Sequence, residues 1–244
     1  MYRNIIHQAS LEVKKISQEK FVDTYNKNIT KKSDGSFVTD VDVTLDIEIS
    51  TALKRLFPAI HIISEESQPD ISTVSGLAWC IDPIDGTHNF MNDIPYYAVS
   101  VGLLFDGVPV AGILYDPMTE DIITGGEGLP LMINNKNYKS LNNSFIVTTG
   151  RSHLNKDRET ESVLVGKILS SKNLKYRRFA SCALDLMNLI RGRIGAVIVV
   201  GNSPWDWSAG YAIAKHAGYS IEHKDEEHFV VFSSHLKDSL FMII

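Results

Sequence analysis

Cysteine is scarce in this 244-residue chain: Cys80 and Cys182 are too few and too far apart for a disulfide framework or a zinc knuckle. A reducing cytoplasm is therefore the expected setting. Positive charge is also short, with 24 Lys and Arg against 29 Asp and Glu, so no global basic excess draws the chain to nucleic acid or an anionic membrane. No apolar run approaches the ~18 residues of a membrane span, and the most apolar stretch, residues 195–200, is strand-sized. The first twenty residues lack the uncharged apolar segment and small-residue cleavage site of a secretory signal. Also missing are HExxH, a Walker A loop, GxGxxG after a strand, a GxSxG nucleophile elbow and an EF-hand loop. Nucleotide-dependent transfer, serine hydrolysis and zinc chemistry lose their support with them. What is present, 44% hydrophobic and 22% charged residues, is the profile of a globular protein with a sizeable core.

Hydrophobic spacing organises that core. Ile5, Ile6, Ala9, Val13, Ile16 and Ser17 recur at helical intervals within residues 2–21. After a polar turn at Ser33, Asp34 and Gly35, Thr39 is placed to cap a second helix whose stripe is Leu45, Ile49, Leu53 and Leu56, ended by Pro58. From residue 60 the pattern turns to strands at 60–63, 77–82, 96–105, 108–115 and 121–124, with Asp106-Gly107 as a hairpin signal between two of them. Residues 125–144 lack apolar periodicity and supply the boundary between an N-terminal half, 1–140, and a C-terminal half, 141–244. In the second half strands at 145–149, 174–179, 195–200, 219–222 and 229–232 alternate with helices at 157–171, 182–192 and 207–217.

The acids cluster where strands end. In Asp82-Pro83-Ile84-Asp85-Gly86-Thr87 the proline is expected to preset a β-turn that swings both carboxylates to one site, leaving the Ile84 carbonyl as a further oxygen ligand. Thr87 offers a hydroxyl to orient water, and a helical turn starting there would present free N–H groups to a phosphate. Glu65-Glu66 ends another strand. Asp206, in Pro204-Trp205-Asp206-Trp207-Ser208-Ala209-Gly210, is expected as a helix N-cap, with Ala209 and Gly210 allowing close packing and the tryptophans as core or wall. Each cluster also has a plain structural use, as turn, solvated pair or cap. Ligands that are all oxygen favour Mg²⁺, with Mn²⁺ as a substitute, over zinc.

Taken in order, Asp34 to Asp42, Ser64-Glu65-Glu66-Ser67, Asp82 to Phe90 and Trp205 to Gly210 resemble the four motifs of the inositol monophosphatase family of Mg²⁺-dependent, lithium-sensitive phosphatases. The resemblance implies an α+β fold, the layered α-β-α-β-α sandwich shared with fructose-1,6-bisphosphatase, usually dimeric. It implies a cytoplasmic phosphomonoesterase, using two or three Mg²⁺, that hydrolyses a small phosphate ester by direct attack of a metal-activated water. By that resemblance Glu65, Asp82 and the Ile84 carbonyl bind a first ion, Asp82, Asp85 and Asp206 a second, and Glu65 helps hold a third. Gly86 and Thr87 bind phosphate, Thr87 with Asp42 polarises the water, and Ser181, Cys182 and Ala183, with Asp85 and Asp206, face the substrate. No nucleic acid or membrane partner is expected.

His88-Asn89-Phe90 after Asp-Gly-Thr points to inositol monophosphate first. Two departures keep histidinol phosphate, a sugar bisphosphate and 3′-phosphoadenosine phosphate open: Val199 stands where the family commonly has a hydroxyl-binding Glu, and Ser181 where Gly is usual. The contrasting class is a non-catalytic regulatory or RNA/protein-binding module, for which the basic run Lys172, Lys175, Arg177 and Arg178 is the sole feature, read as a solvated strand face.

Overall fold

The computed structural model describes residues 2–22, 27–32, 35–67, 75–151, 155–225 and 228–241. Helix α1 (Tyr2–Lys20) buries Ile6, Ala9, Ser10, Val13, Ile16 and Ser17, the face that the spacing predicts. Strands β1 (Ile29–Lys31) and β2 (Phe37–Thr39) pair as a small antiparallel ribbon, whose connecting residues Ser33 and Asp34 lie outside the described residues. Thr39 then caps α2 (Asp40–Leu56): its hydroxyl accepts from the Asp42 N–H while the Asp42 carboxylate accepts from the Thr39 N–H. Leu45, Ile49 and Leu53 are buried along it.

A seven-stranded sheet follows, built in chain order from β3 (His61–Ser64), β4 (Leu77–Asp85), β5 (Ala98–Phe105), β6 (Val108–Asp116), β7 (Asp121–Gly126), β8 (Leu129–Ile133) and β9 (Lys136–Asn137). Only β3 and β4 run parallel; a short helix α3 (Thr87–Met91) interrupts the path from β4 to β5. Asp106 and Gly107 join β5 to β6 with φ of 47° and 78°, the double left-handed pair of a type I′ hairpin. The strands β8 and β9 occupy part of the segment expected to be a boundary. They lie at the sheet's edge, with β8 half-exposed throughout, so no buried face imposes a two-residue alternation on the sequence.

The second half contributes β10 (Ile146–Arg151), α4 (Asn155–Ser170), β11 (Lys175–Arg177), α5 (Cys182–Ile190), β12 (Ala196–Val200), α6 (Pro204–His216), β13 (Ser220–His223), β14 (His228–Phe232) and, after a 3₁₀ turn, α7 (Lys237–Phe241). Its five-stranded sheet runs β11-β10-β12-β14-β13. Helices α1 and α2 pack on the outer face of the first sheet, α5 and α6 lie between the sheets, and α4 covers the second. The result is the five-layer α-β-α-β-α sandwich. The sheets part between Asn137 and Ile146, yet one core joins Ala98, Leu114 and Ile123 of the first to Val197, Val199, Phe229 and Val231 of the second through α5 and α6. Among the described residues no helix is long and apolar enough to cross a membrane.

Glycines set how closely the middle layer sits. A Cβ on Gly112 of β6 would overlap the Ala209 backbone, and one on Gly102 of β5 would meet the Ser208 side chain, so α6 rests directly on sheet backbone. Gly210 faces the Leu186 side chain of α5 with equally little room. The small residues expected to permit close approach are therefore at the contact itself, and they fix the position of Asp206 one turn earlier.

Candidate metal centre

At the ends of β4 and α6 stand three carboxylates, Asp82 and Asp85 buried and Asp206 half-buried, each offering an oxygen within 4.8 Å of the others. The geometry that unites the first two differs from the expected β-turn. Strand β4 continues through Asp85, and a register shift against β5 between Asp82 and Asp85 absorbs Pro83 and Ile84 as a bulge. Proline belongs there because a bulge spares it a ladder hydrogen bond. Asp82 is braced by accepting from the Ile84 N–H at 3.0 Å. Asp206 is likewise not the N-cap of α6. Ser203 holds that position, Pro204 occupies the first turn with its preset φ, and Asp206 projects from the same turn with Asn202 Nδ2 donating to its Oδ2 at 3.0 Å.

Burial and mutual repulsion shape the cluster's charge. Asp82 and Asp206 are held well above the usual carboxylate range, first by loss of water and then by their acidic neighbours. Asp85 is raised to about 7 by burial, against the pull of two donors on its Oδ2, the Ser181 hydroxyl and the Ala183 N–H, both at 2.6 Å. Three hard-oxygen donors that resist ionising together are suited to a divalent cation of the Mg²⁺ type, which removes the repulsion and replaces the lost solvation. Glu65 lines the same cleft, but its carboxylate is not part of the three-residue group; it pairs with Lys32 Nζ at 3.2 Å, and Glu66 takes the same amine at 2.7 Å.

Beside the cluster, Gly86 adopts φ 100° and opens α3, turning the chain so that Thr87 faces Asp42. The Thr87 hydroxyl lies 3.2 Å from Asp42 Oδ1 and 3.0 Å from the Ile84 carbonyl, donating to one at a time. Asp42 Oδ2 accepts from the N–H and hydroxyl of Thr39, and burial raises its carboxyl to about 6. The capping box that starts α2 thus also aims Asp42.

All the expected site residues except Asp42 and Ala183 line one cleft of about 680 Å³. Ala183 reaches the site through its N–H on Asp85. Burial and the nearby acids keep the Cys182 thiol well above its ordinary range, and burial pushes Cys80 up to about 12, so neither presents a thiolate. Trp205 forms cleft wall, whereas Trp207 packs on Tyr211 and Phe229. Val199 is fully buried in the shared core. Two contributors were not legible in the sequence: Asn202 and Arg158 reach the cleft from separate elements and belong to no local motif, while Arg178, expected on a solvated strand face, lines the cleft instead. Asn89, part of the His88-Asn89-Phe90 motif, has a bracing role the sequence did not announce, donating to the Tyr96 and Phe179 carbonyls at 2.7 Å each and so tying the segment before Ser181 to α3.

Comparison with known proteins agrees with the fold. The model of the inositol monophosphatase family matches residues 2–237. The Nus factor SuhB of Salmonella typhimurium is 30% identical over 194 residues, 78% of this chain and 72% of that protein. Inositol monophosphatase 1 of Solanum lycopersicum is 32% identical over 202 residues, covering 79% and 74%. The solved inositol monophosphatase of Anabaena superposes with a TM-score of 0.79 at 26% identity, covering 99% of this chain and 94% of that one.

Proposed function

The chain belongs to the inositol monophosphatase family, and from that premise we propose that it is a Mg²⁺-dependent phosphomonoesterase acting on a small phosphorylated metabolite, with inositol monophosphate as the first substrate to test. The observation that carries the reading is the convergence of Asp82, Asp85 and Asp206 beside the Thr87–Asp42 pair in one cleft. Asp82, Asp85 and Asp206, with Glu65 and the Ile84 carbonyl at the rim of the set, are the groups to hold two or three ions. Bound there, Mg²⁺ supplies positive charge for the phosphate oxygens and the leaving alkoxide.

The chain's own groups do the rest. Backbone N–H groups at Gly86 and Thr87 orient the phosphate. The Thr87 hydroxyl accepts a hydrogen bond from the attacking water and donates its own proton to Asp42 Oδ1, which Thr39 keeps in place. Displacement by water directly at phosphorus requires no covalent enzyme intermediate, in keeping with two thiols that stay protonated. Phosphate release from a panel of monoesters, with Mg²⁺ and with EDTA, tests the reading. Asp85→Asn, which removes a ligand charge at nearly constant volume, is expected to abolish turnover with the fold intact; Mg²⁺-independent release, or full activity in that variant, defeats it.

A second reading has the names of relatives behind it: several are Nus factor SuhB proteins. On this reading the chain works as a regulatory or RNA/protein-binding module, and the exposed Lys172, Lys175 and Arg177 around the edge strand β11 are its contact surface. Absence of turnover in the wild type, with binding retained by Asp85→Asn, favours it.

A further inference from the structure

Asp185 and Tyr96 hydrogen-bond to each other, and neither lines the cleft. Asp185, on α5, is fully buried, and burial raises its carboxyl to about 7 against the pull of the Tyr96 and Thr148 hydroxyls. Tyr96 comes just before β5. Its hydroxyl donates to Asp185 Oδ1 at 2.6 Å and accepts from Asn188 Nδ2 at 3.2 Å. Burial, and then the Asp185 charge, hold the phenol well above its ordinary range, so it stays a donor. A buried carboxyl is costly to keep, and the surroundings of this pair point to its use.

The pair bears on a strained turn. Ala180, between β11 and α5, adopts φ 62°, in the left-handed region that a residue with a Cβ enters only at a cost. The next residue, Ser181, caps α5 and donates its hydroxyl to Asp85 Oδ2, and the Ala183 N–H donates to the same oxygen, both at 2.6 Å. With Ala180 in an ordinary extended or helical conformation the chain enters α5 along another path, and those two donors leave Asp85. Strain of this kind persists only where the surroundings over-determine it.

Three contacts over-determine it here. The Tyr96 ring stacks on Phe179, the residue before Ala180, with centroids 4.7 Å apart and planes at 27°. Asn89 Nδ2 donates to the Tyr96 and Phe179 carbonyls at 2.7 Å each, which joins the same two residues through their backbones. The third is the Tyr96 hydroxyl on Asp185, which ties the stacked ring to α5 itself, the helix whose first turn must face Asp85. Tyr96 also backs the turn at Gly86, where a Cβ would lie 3.1 Å from the Tyr96 carbonyl oxygen and 3.2 Å from Ser181 Cβ. It therefore stands between the turn that follows Asp85 and the turn that delivers its two donors.

We propose that Tyr96 and Asp185 are positioning residues for the metal centre: their hydrogen bond holds the left-handed turn at Ala180 and so presents the Ser181 hydroxyl and the Ala183 N–H to Asp85. The inference rests on the reading of the carboxylate cluster as a Mg²⁺ site and adds two residues to it. Both act through others, and neither touches ion or substrate. Groups that fix a ligating side chain are worth about ten- to a hundredfold in metal affinity. Tyr96 stands one step further from Asp85, so breaking its bond is expected to cost about five- to tenfold.

Calorimetric Mg²⁺ titration of the full chain, alongside its Tm in EDTA, tests this. Tyr96→Phe removes one oxygen and keeps the ring on Phe179; its Mg²⁺ affinity is expected to fall about five- to tenfold, while Asp185→Asn, which keeps an acceptor for the phenol, stays within about twofold. Ala180→Gly added to Tyr96→Phe is expected to regain most of the loss, because glycine takes φ 62° without the cost and needs no clamp. A bond that serves stability alone would lower Tm and leave Mg²⁺ affinity where it was. Where Tyr96→Phe does not fold, Asp185→Leu breaks the same bond from the other side and is read in the same way. Affinity within about twofold of wild type in the variant that breaks the bond, or a loss that Ala180→Gly leaves in full, overturns the proposal. Phosphate release from the ester panel is scored separately. These affinity shifts without any turnover sink the phosphatase reading alone, and turnover without the shifts sinks the positioning role alone. A wild-type chain that binds no Mg²⁺ overturns both.

Discussion

Thr39 serves two masters, since the hydroxyl and N–H that begin α2 also hold Asp42 Oδ2. Thr39→Ala is expected to cost about 1 kcal/mol of stability, the usual worth of an N-cap. It should lower kcat about ten- to a hundredfold, because an unanchored Asp42 no longer faces Thr87. Denaturant titration alongside steady-state kinetics separates the two effects. The raised carboxyls make a second prediction at this scale. Asp42 titrates at about 6 and Asp85 at about 7 in the folded chain, against 3.8 for a free aspartate. Well below pH 3.8 both states are protonated and the groups cost nothing; above it the unfolded chain has released these protons while the folded chain still holds them, so stability falls until the folded groups ionise at about 6 and about 7. In EDTA the Tm should therefore drop by about 5–10 °C between pH 5 and pH 8, and Mg²⁺ should recover more of it at pH 8 than at pH 6. A flat profile in EDTA would show that these acids are not displaced.

Elements rather than single side chains bring the ligands together, and the glycines under α6 are the sensitive points. Gly112→Ala forces the helix off the sheet and is expected to destabilise by about 1–3 kcal/mol. It should also weaken Mg²⁺ affinity, because Asp206 moves with α6; calorimetric Mg²⁺ titration of the folded variant checks this. Arg191 at the end of α5 is the other seat of the middle layer, pairing with Asp116 at 2.9 Å and Asp121 at 2.7 Å while almost wholly buried. Arg191→Met strands Asp116 in the interior and should cost about 3–5 kcal/mol. Legibility in the sequence followed the range of the interaction. Asp106-Gly107, the Thr39 cap and the buried stripes of α1 and α2 are local devices, and the chain folds as they predict. Asp82 and Asp85 were legible as chemistry but not as geometry, because the partner strand β5, and not Pro83 alone, turns the segment into a bulge. Ser203 took the cap expected of Asp206 because Pro204 fixes the helix start one residue after it. Asn202 and Arg158 act only across the fold, and nothing in their neighbours announces them; Asn89 and Arg178 stood in features of the sequence, but their partners Phe179 and Glu161 are remote from them.

At the scale of the whole molecule, the groups that line the cleft come from residue 35 to residue 206 and from both sheets. Ion binding and folding are therefore linked, and thermal unfolding is expected as a single transition whose midpoint rises with Mg²⁺ concentration; two separated transitions would mean that the halves melt independently. Charge tells the same story. Setting aside Asp42, Glu65, Asp82, Asp85 and Asp206 leaves as many acids as the 24 basic residues, so the net charge of −5 is equivalent to the site alone. The chain also carries its own optical probe. Two of its three tryptophans, Trp205 and Trp207, bracket Asp206, while Trp79 is fully buried under α2. An ion arriving at Asp206 changes the electric field on the two flanking indoles and leaves the third almost untouched. Mg²⁺ titrated into the protein should then shift the emission spectrum in a way that Asp206→Asn abolishes and Trp205→Phe largely removes. With that signal, occupancy of the site is followed in real time without substrate, label or turnover.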